Sequence, residues 1–309
     1  MKNLHTQAIV IHAYGGPEQL QLEEVPVMVP AKDQVLIKVV ASGVNPIDWK
    51  LRQGFMQHPL PYIPGVEASG VVTAVGDGVF GMTTGDEVYG ALDGSYATYA
   101  IGSAELLFKK PTHVSFEEAA TMAGAKTAWT ALFETGGLTK GKRVLIHAGA
   151  GGVGHFAVQL AYNAGAYVIA TASAENMDFV TGLGADEVID YKSTPFESQT
   201  GQIDLVFDTV GGDTTERSLQ VLKPGGLLVS ITQMPDPEKA AAAGVRAQFS
   251  GSRSVQAMRE VHKLLDKGLI KPYVRKVFQP LSAAAAAQEY SQHGGPGRGK
   301  IVLKIGTED

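Results

Sequence analysis

The chain has 309 residues, 44% of them hydrophobic and 18% charged, which is typical of a globular protein long enough to form two domains. Its formal net charge of −5 gives no general attraction to nucleic acid or to an anionic membrane surface. Cysteine is absent, which excludes disulfide bonds and a thiolate acting as nucleophile or metal ligand.

The N-terminal residues contain no long apolar core followed by a small-residue cleavage site, so we expect no secretory signal peptide. No apolar run approaches the roughly 18 residues that suggest a membrane-spanning helix. We therefore expect a protein of the cytoplasm without a membrane span.

Residues 1–124 contain short apolar runs such as "VLIKVVAS" and "ASGVVTAVG". Turn sequences rich in glycine and proline, such as "GDGVFGMTTGD", separate these runs. Short strands with turn chemistry between them predict a β-barrel or a β-sandwich.

Beyond residue 125 the pattern changes to alternating strands and helices. The predicted elements are strand 143–148, helix 152–164, strand 167–172, helix 174–185, strand 187–191, strand and loop 203–212, helix 214–226 closed by its glycines, and strand 227–232. Such alternation predicts a parallel, doubly wound sheet. The pattern ends with helix 254–268, strand 273–278, helix 281–293 and strand 299–305.

Three glycines follow the strand 143–148 in the spacing Gly-x-Gly-x-x-Gly: Gly149, Gly151 and Gly154. The first permits a tight turn, the second lets a pyrophosphate approach the backbone, and the third lets helix and strand pack closely. The phosphates would lie at the positive N-terminus of helix 152–164. The alternative is a glycine-rich turn without a ligand, but the flanking strand and helix favour a dinucleotide site.

The end of the predicted strand 167–172 favours NADPH as the cofactor. Sites that prefer NAD carry an acid about 20 residues after the glycines, which binds the ribose 2′-hydroxyl. No Asp or Glu occurs between residues 155 and 174, and the strand ends in "TAS" (171–173), whose short hydroxyls leave room for a 2′-phosphate. Glu175 disagrees, because it lies just past the strand and no Arg or Lys follows before Lys192. NADH therefore stays an alternative.

Six blocks spread over almost the whole chain carry a resemblance. They are "GVNPIDWK" (43–50), "PYIPGVEASGVV" (61–72), "GDEVYG" (85–90), "GKRVLIHAGAGGVGHFAVQLA" (141–161), "GADEVIDY" (184–191) and "RGKIVLKI" (298–305). The chain resembles the zinc-independent, zeta-crystallin-like quinone oxidoreductase branch of the medium-chain dehydrogenase/reductase superfamily. It departs from that branch at Tyr162 and Glu175, where basic residues are usual.

The resemblance implies an α/β protein with two domains. A GroES-like β-barrel catalytic domain would comprise residues 1–124 and 268–309. A Rossmann domain with a doubly wound parallel sheet would comprise residues 125–267 and bind NADP(H). The active site would lie in the cleft between the two domains.

The resemblance also implies that no zinc is bound. Zinc-dependent relatives have a cysteine where this chain has Asn45, and a Gly-His-Glu block where it has Gly65, Val66 and Glu67. They also have a lobe with four cysteines, which is missing here. Without the Cys and the His, a catalytic zinc site with three protein ligands cannot be assembled in the usual way.

Hydride transfer without a metal suits an electron-poor acceptor, either a quinone or an α,β-unsaturated carbonyl compound (enone or enal). The enolate oxygen that forms needs a hydrogen-bond donor. The resemblance indicates Asn45, Asp48 and Trp49 as catalytic candidates. Each has a structural alternative: Asn45 could tolerate the turn before Pro46, Asp48 could cap the next segment, and Trp49 could belong to the core.

A larger set of residues is expected to contact the cofactor, from the glycine turn, the strand ends and the resemblance. The set is Asn45, Thr127, Gly149, Ala150, Gly151, Gly152, Val153, Gly154, Thr171, Ser173, Tyr191, Val210, Gly211, Ile231 and Lys300. Thr127 could instead lie on a helix surface, and Tyr191 could pack at the sheet edge. Lys300 and its neighbour Arg298 could simply be solvated.

Two other functions stay open beside an NADPH-dependent reductase. An NAD(P)-dependent alcohol dehydrogenase is disfavoured by the missing Cys and His. The other is a non-enzymatic NADPH-binding protein, such as a sensor, a structural protein or an RNA binder. The negative net charge gives no support to RNA binding. The strand "VRAQFS" (245–250) is the expected contact of a homodimer formed through the sheet edge.

Overall fold

The computed structural model describes residues 5–251, 254–294 and 297–306, and these form two compact units. The first unit contains the described residues 5–123, 274–294 and 300–306. The second contains residues 124–251, 254–273 and 297–299. The chain therefore leaves the first unit after residue 123, returns to it at residue 274, and later contributes one short segment, which includes residues 297–299, to the second unit.

The strands and helices follow one another along the whole chain. The strands are β1 (His5–Val10), β2 (Gln21–Pro26), β3 (Gln34–Val44), β4 (Glu67–Val75), β5 (Glu87–Ala91), β6 (Tyr99–Ser103), β7 (Leu107–Lys109), β8 (Arg143–Ile146), β9 (Tyr167–Ala172), β10 (Glu187–Asp190), β11 (Ile203–Asp208), β12 (Leu222–Ser230), β13 (Arg246–Phe249), β14 (Val274–Phe278) and β15 (Lys300–Lys304). The helices are α1 (Pro46–Arg52), α2 (Phe116–Ala119), α3 (Ala123–Trp129), α4 (Gly154–Asn163), α5 (Met177–Gly182), α6 (Asp213–Ser218), α7 (Pro237–Ala242), α8 (Val255–Asp266) and α9 (Ala284–His293). Within the described ranges, no helix has the length and apolar character needed to cross a membrane.

The first unit is built on a sheet with the strand order β14-β15-β3-β4-β5-β7, and β6 pairs with β3 beside this path. The central strand β3 is the longest of the described strands, and nine of its eleven residues are buried. It pairs antiparallel with β15 and β4, and Val44 at its end lies opposite Ile301. This register brings the start of β15 and the start of β4 to the carboxyl end of β3, where Asn45 follows.

The second unit contains a parallel sheet with the strand order β10-β9-β8-β11-β12-β13. Numbered from its own first strand, this is the order 3-2-1-4-5-6 of a dinucleotide-binding sheet. The strand order reverses between β8 and β11, so a crevice opens at the carboxyl ends of these two strands. The expected parallel, doubly wound sheet is confirmed.

The predicted helix 214–226 is wrong in its second half. Helix α6 ends at Ser218, and Leu222 begins strand β12. The reason is local, since Pro224 lacks a backbone N–H and cannot continue a helix without disturbing the preceding turn. Gly225 adopts a φ of +74°, which does not fit a helix, and lies inside β12 where its pairing with β11 shifts register.

Candidate functional site

The glycine turn after β8 has the geometry that a bound pyrophosphate requires. An added Cβ on Gly154 would overlap the carbonyl oxygen of Ala148, and one on Gly149 would come within 2.9 Å of Ala170 Cβ. These two glycines therefore serve the close packing of turn, helix and strand. A Cβ on Gly151 would meet nothing nearer than 3.2 Å, so this glycine leaves the backbone open to a ligand.

Helix α4 begins directly after this turn with its first N–H groups uncapped by any side chain. Its N-cap is Val153, which makes no side-chain cap hydrogen bond, and the first turn carries no acidic residue. The positive end of the helix dipole is thus not neutralised locally. Together with the open backbone at Gly151, this end of α4 suits an anionic group.

A cavity of about 270 Å³ lies at the carboxyl ends of the parallel strands. Six residues expected to contact the cofactor line it: Ala150, Gly151, Thr171, Ser173, Tyr191 and Val210. The lining does not include Thr127, Gly149, Gly152, Val153, Gly154, Gly211 and Ile231. A cavity at this reversal of strand order is where doubly wound sheets bind dinucleotides, so its position and the glycine turn fit such a group.

Two buried polar residues that the sequence analysis missed hold the rim of the cavity. Asp208 Oδ1 accepts the N–H groups of Val210 and Gly211, each at 2.9 Å, and thereby fixes the loop after β11. His147, at the end of β8, pairs with the hydroxyl of Ser218 at 2.9 Å. Burial lowers the pKa of His147 to about 4, so it is a neutral structural residue at physiological pH. Their signal in the sequence is a polar residue that directly ends or follows an apolar strand.

The end of β9 is organised by hydroxyl groups. Thr171 Oγ1 accepts the N–H of Ala148 at 3.1 Å and so ties the glycine turn to the neighbouring strand. Ser173 Oγ accepts a hydrogen bond from Asn176 Nδ2 at 2.9 Å and lies 3.2 Å from Glu175 Oε1. Ser173 and Asn176 line the cavity, whereas Glu175 is exposed outside its lining.

A cation reaches this strand end from a distant part of the sequence. Arg298 Nε donates to Asn176 Oδ1 at 2.8 Å, and its Nη2 donates to the carbonyl oxygen of Glu175 at 2.7 Å. The guanidinium also lies 5.2 Å from the centre of the Phe179 ring. The residues that follow β9 contain no Arg or Lys before Lys192, but Arg298, from the segment just before β15, places a cation at this strand end.

The first unit contains a second group of buried polar side chains, at the carboxyl end of β3. Asn45 Nδ2 donates to Glu67 Oε1 at 2.8 Å, while Asn45 Oδ1 accepts a hydrogen bond from the ammonium of Lys300. Lys300 Nζ lies 3.3 Å from Glu67 Oε1. The exposed fractions are 8% for Asn45, 3% for Glu67 and 6% for Lys300, so an ion pair and an amide share an almost dry site.

Glu67 is the residue of this group that the sequence analysis did not select. Its second oxygen, Oε2, accepts the N–H of Ala123 at 2.6 Å. An added Cβ on Gly43 would overlap the Glu67 carboxylate, so the glycine before Val44 makes room for the acid. An acidic residue at the head of the apolar strand "EASGVV" was the available signal.

Asp48 and Trp49 lie on the first turn of α1, next to this group. The Asp48 carboxylate accepts the N–H of Asn45 at 2.7 Å and the hydroxyl of Tyr96 at 3.2 Å, which is a capping contact at the start of the helix. Trp49 is half-buried with its ring edge-on to Phe55, and its Nε1 has no partner among the described residues. Burial raises the pKa of Asp48 to about 7.

Comparison with known proteins agrees with both units. Residues 31–112 match the family model described as an alcohol dehydrogenase GroES-like domain, and residues 183–303 match the one described as a zinc-binding dehydrogenase. The chain is 37% identical over 317 residues to an NADPH-dependent alkenal/one oxidoreductase, chloroplastic, of Arabidopsis thaliana, which covers 96% of this chain and 79% of that protein.

Solved structures agree with the fold over nearly the full length. The quinone oxidoreductase from Coxiella burnetii superposes with a TM-score of 0.89 at 34% identity and covers 98% of this chain and 100% of that one. A mycobacterial protein solved in complex with NADPH superposes with a TM-score of 0.87 at 31% identity and covers 97% of this chain and 99% of that one. These likenesses confirm the expected fold class.

The raised pKa of Asp48 predicts a pH-dependent contribution to stability. An aspartate in the unfolded chain titrates near pH 4, so between about pH 4 and about pH 7 the folded state binds the extra proton and stability falls as the pH rises. Asp48→Asn removes this titration while keeping an oxygen for the Asn45 N–H. As the pH rises from about 4 to about 7, we expect the free energy of unfolding of Asp48→Asn to increase relative to that of the unsubstituted protein. Urea unfolding at several pH values measures this difference.

The control is Asp178→Asn, which changes an exposed aspartate on α5. Its stability difference is expected to stay nearly constant over the same pH range. A stability difference for Asp48→Asn that does not change with pH would contradict the raised pKa of Asp48.

Proposed function

The chain belongs to the quinone oxidoreductase branch of the medium-chain dehydrogenase/reductase superfamily, and we propose that it reduces quinones or α,β-unsaturated carbonyl compounds with NADPH. The observation that carries this proposal is Asn45, a neutral hydrogen-bond donor at the end of β3 that is held by Glu67 and Lys300. An amide in this place suits a substrate oxygen that becomes negative during the reaction.

The second unit is proposed to hold the dinucleotide. The open backbone at Gly151 and the uncapped start of α4 would bind the pyrophosphate, and the cavity residues Ser173, Asn176 and Tyr191 would surround the adenosine end. When bound, the nicotinamide supplies a hydride. The protein's own part is to orient the reactants and to stabilise the charge that develops.

Asn45 is proposed to donate an amide N–H to the carbonyl oxygen of the substrate. As the β-carbon accepts the hydride, the π electrons of the C=C bond move toward the carbonyl and leave an enolate oxygen, which the amide stabilises. A proton from water then reaches the α-carbon, so each turnover consumes one NADPH and one proton and yields the saturated carbonyl compound. A quinone gains the same hydride and proton and becomes a hydroquinone.

Zinc is not part of the proposed chemistry. Asn45 and Val66 occupy the sequence positions at which zinc-dependent relatives carry a Cys and a His. Within residues 5–251, 254–294 and 297–306, no three or more His, Cys, Asp or Glu side chains are grouped so as to hold a metal ion. An alcohol dehydrogenase is therefore the weaker alternative.

The activity is tested by following NADPH oxidation with a panel of enones, enals and quinones. We expect turnover with at least one class and, for Asn45→Ala, a kcat lower by about 100-fold, because one oxyanion donor is lost. The matched control is Asn163→Ala, which changes an asparagine at the end of α4.

Two outcomes would contradict the proposed activity. One is the absence of NADPH oxidation with every enone, enal and quinone of the panel, although the protein binds NADPH. The other is alcohol-dependent reduction of the cofactor that added zinc enhances, which would favour the alcohol dehydrogenase.

The position of Arg298 supports a preference for NADPH over NADH. Its guanidinium lies at Asn176, which lines the cavity, and its bonds to Asn176 and Glu175 use only part of its donor fork. Arginine binds phosphate with two parallel hydrogen bonds, which suits a ribose 2′-phosphate. Arg298 is thus proposed to offset the unfavourable acid at Glu175.

Arg298→Ala is expected to raise the Kd for NADPH by roughly 10- to 100-fold, because a charge-assisted hydrogen bond to the phosphate is lost. The Kd for NADH, which lacks the 2′-phosphate, should stay nearly the same. Both are measured by fluorescence titration. The control is Arg143→Ala, at the opposite, amino end of β8; an equal loss for both cofactors in Arg298→Ala would contradict this role.

We also propose a homodimer that forms through the β13 edge of the parallel sheet. Strand β13 is the last strand of that sheet, and Phe249 at its end is exposed. Pairing of two such edges would satisfy their backbone N–H and C=O groups and cover the apolar ring. Light scattering is expected to give twice the chain mass, and a monomeric mass at micromolar concentration would contradict the proposal.

A further inference from the structure

The buried ion pair of the first unit is difficult to explain by stability alone. Taking Glu67 and Lys300 out of water carries a desolvation cost that their mutual attraction often does not outweigh. A pair of well-packed apolar side chains would hold β3, β4 and β15 together at least as well. Other contacts nevertheless hold the acid of this pair in place. Gly43 leaves space for the Glu67 carboxylate, and the Ala123 N–H donates to Glu67 Oε2.

What the two charges share is the side chain of Asn45. The ammonium of Lys300 has only donors, and it binds Asn45 Oδ1. The carboxylate of Glu67 has only acceptors, and it binds Asn45 Nδ2 at 2.8 Å. Turning the amide by 180° would place its NH₂ group against the ammonium and its oxygen against the carboxylate. Only one orientation of the amide is therefore compatible with both neighbours.

This orientation leaves one donor available. Asn45 Nδ2 carries two N–H groups, and the bond to Glu67 uses one of them. Within the described part of the chain, no acceptor is found for the other. A freely turning amide would present an oxygen in place of that N–H part of the time, which would repel an enolate instead of stabilising it.

We propose that Glu67 and Lys300 are positioning residues that lock the Asn45 amide in the one orientation whose spare N–H binds the substrate's carbonyl oxygen. This inference rests on the proposed function, which assigns that N–H to the substrate. It gives Lys300 a role different from the cofactor contact expected from the sequence. It also accounts for the charge pair, since an ammonium offers only donors and a carboxylate only acceptors, so each of them binds one end of the amide.

The test is a double-mutant cycle between Lys300→Met and Asn45→Ala, with Glu67→Gln as a second way to remove the lock. The amide introduced by Glu67→Gln would present a donor as well as an acceptor and so would no longer select one orientation. We expect each single variant to lower kcat by roughly 10- to 100-fold, as for a misplaced catalytic group, with an unchanged Kd for NADPH. In the Asn45→Ala background, Lys300→Met and Glu67→Gln should cost no further activity.

Other outcomes of the cycle would overturn the proposal. If Lys300→Met lowers kcat equally with and without Asn45, Lys300 acts on the substrate directly. If kcat of Lys300→Met and Glu67→Gln equals that of the unsubstituted protein, no lock is needed. Lys300→Arg keeps a donor-only cation and is expected to retain more activity than Lys300→Met, and it serves where Lys300→Met does not fold.

Lys304→Met is the matched control, because Lys304 lies on the same strand and forms an ion pair with Glu117 at 2.7 Å. We expect its kcat to stay unchanged. A loss equal to that of Lys300→Met would mean that any charge removed from β15 disturbs the site, and would overturn the assignment.

A second measurement does not depend on turnover and so separates this inference from the proposed function. The side-chain amide resonance of Asn45 is identified in ¹⁵N-labelled protein by its loss in Asn45→Ala. Its hydrogen exchange with solvent is expected to be slow in the unsubstituted protein and at least about 10-fold faster in Lys300→Met and Glu67→Gln, because the held N–H is released. Unchanged exchange would refute the lock even if the enzyme is active. Faster exchange in an inactive protein would support the lock and count against the proposed function.

Discussion

The buried charge pair of Glu67 and Lys300 constrains how the strands of the first unit pair with one another. Glu67 and Lys300 are separated by more than two hundred residues, yet neither tolerates burial without the other. Strands β4 and β15 must therefore pair with β3 in one register, and the chain must return from the second unit to complete the site. A slip by one residue would turn these side chains to the opposite face of the sheet.

The dinucleotide site proposed for the second unit would have to bind an anion with few charged side chains of its own. Backbone N–H groups at the start of α4 are proposed to bind the phosphates, and neighbouring side chains hold the glycine turn in place. Thr171 ties the glycine turn to β9, and Asp208 fixes the loop after β11. Arg298 then adds a cation from the late segment of the chain. The proposed phosphate site thus depends on contacts between residues that are distant in sequence.

Local sequence patterns predicted most of the secondary structure because burial and backbone conformation depend largely on neighbouring residues. Buried parallel strands appear as short apolar runs, and the glycine spacing reflects a turn that only small residues can form. The helix predicted over 214–226 and closed by glycine ends earlier, at Ser218, and Leu222 begins strand β12, which contains Pro224 and Gly225. A pattern of apolar residues does not distinguish a helix from a strand when backbone restrictions intervene.

The sequence by itself determined the fold class, the glycine turn and the absence of cysteine, since each depends on residue type and short spacing, and its resemblance to a known family indicated Asn45. Only the tertiary structure decided which charges act on Asn45 and which cation lies beside Glu175. Lys300 lies beside Asn45 only because β15 pairs with β3. Arg298 lies beside Glu175 only because the segment before β15 packs near the end of β9. Such neighbours follow from strand pairing over long sequence distances, which no local pattern encodes.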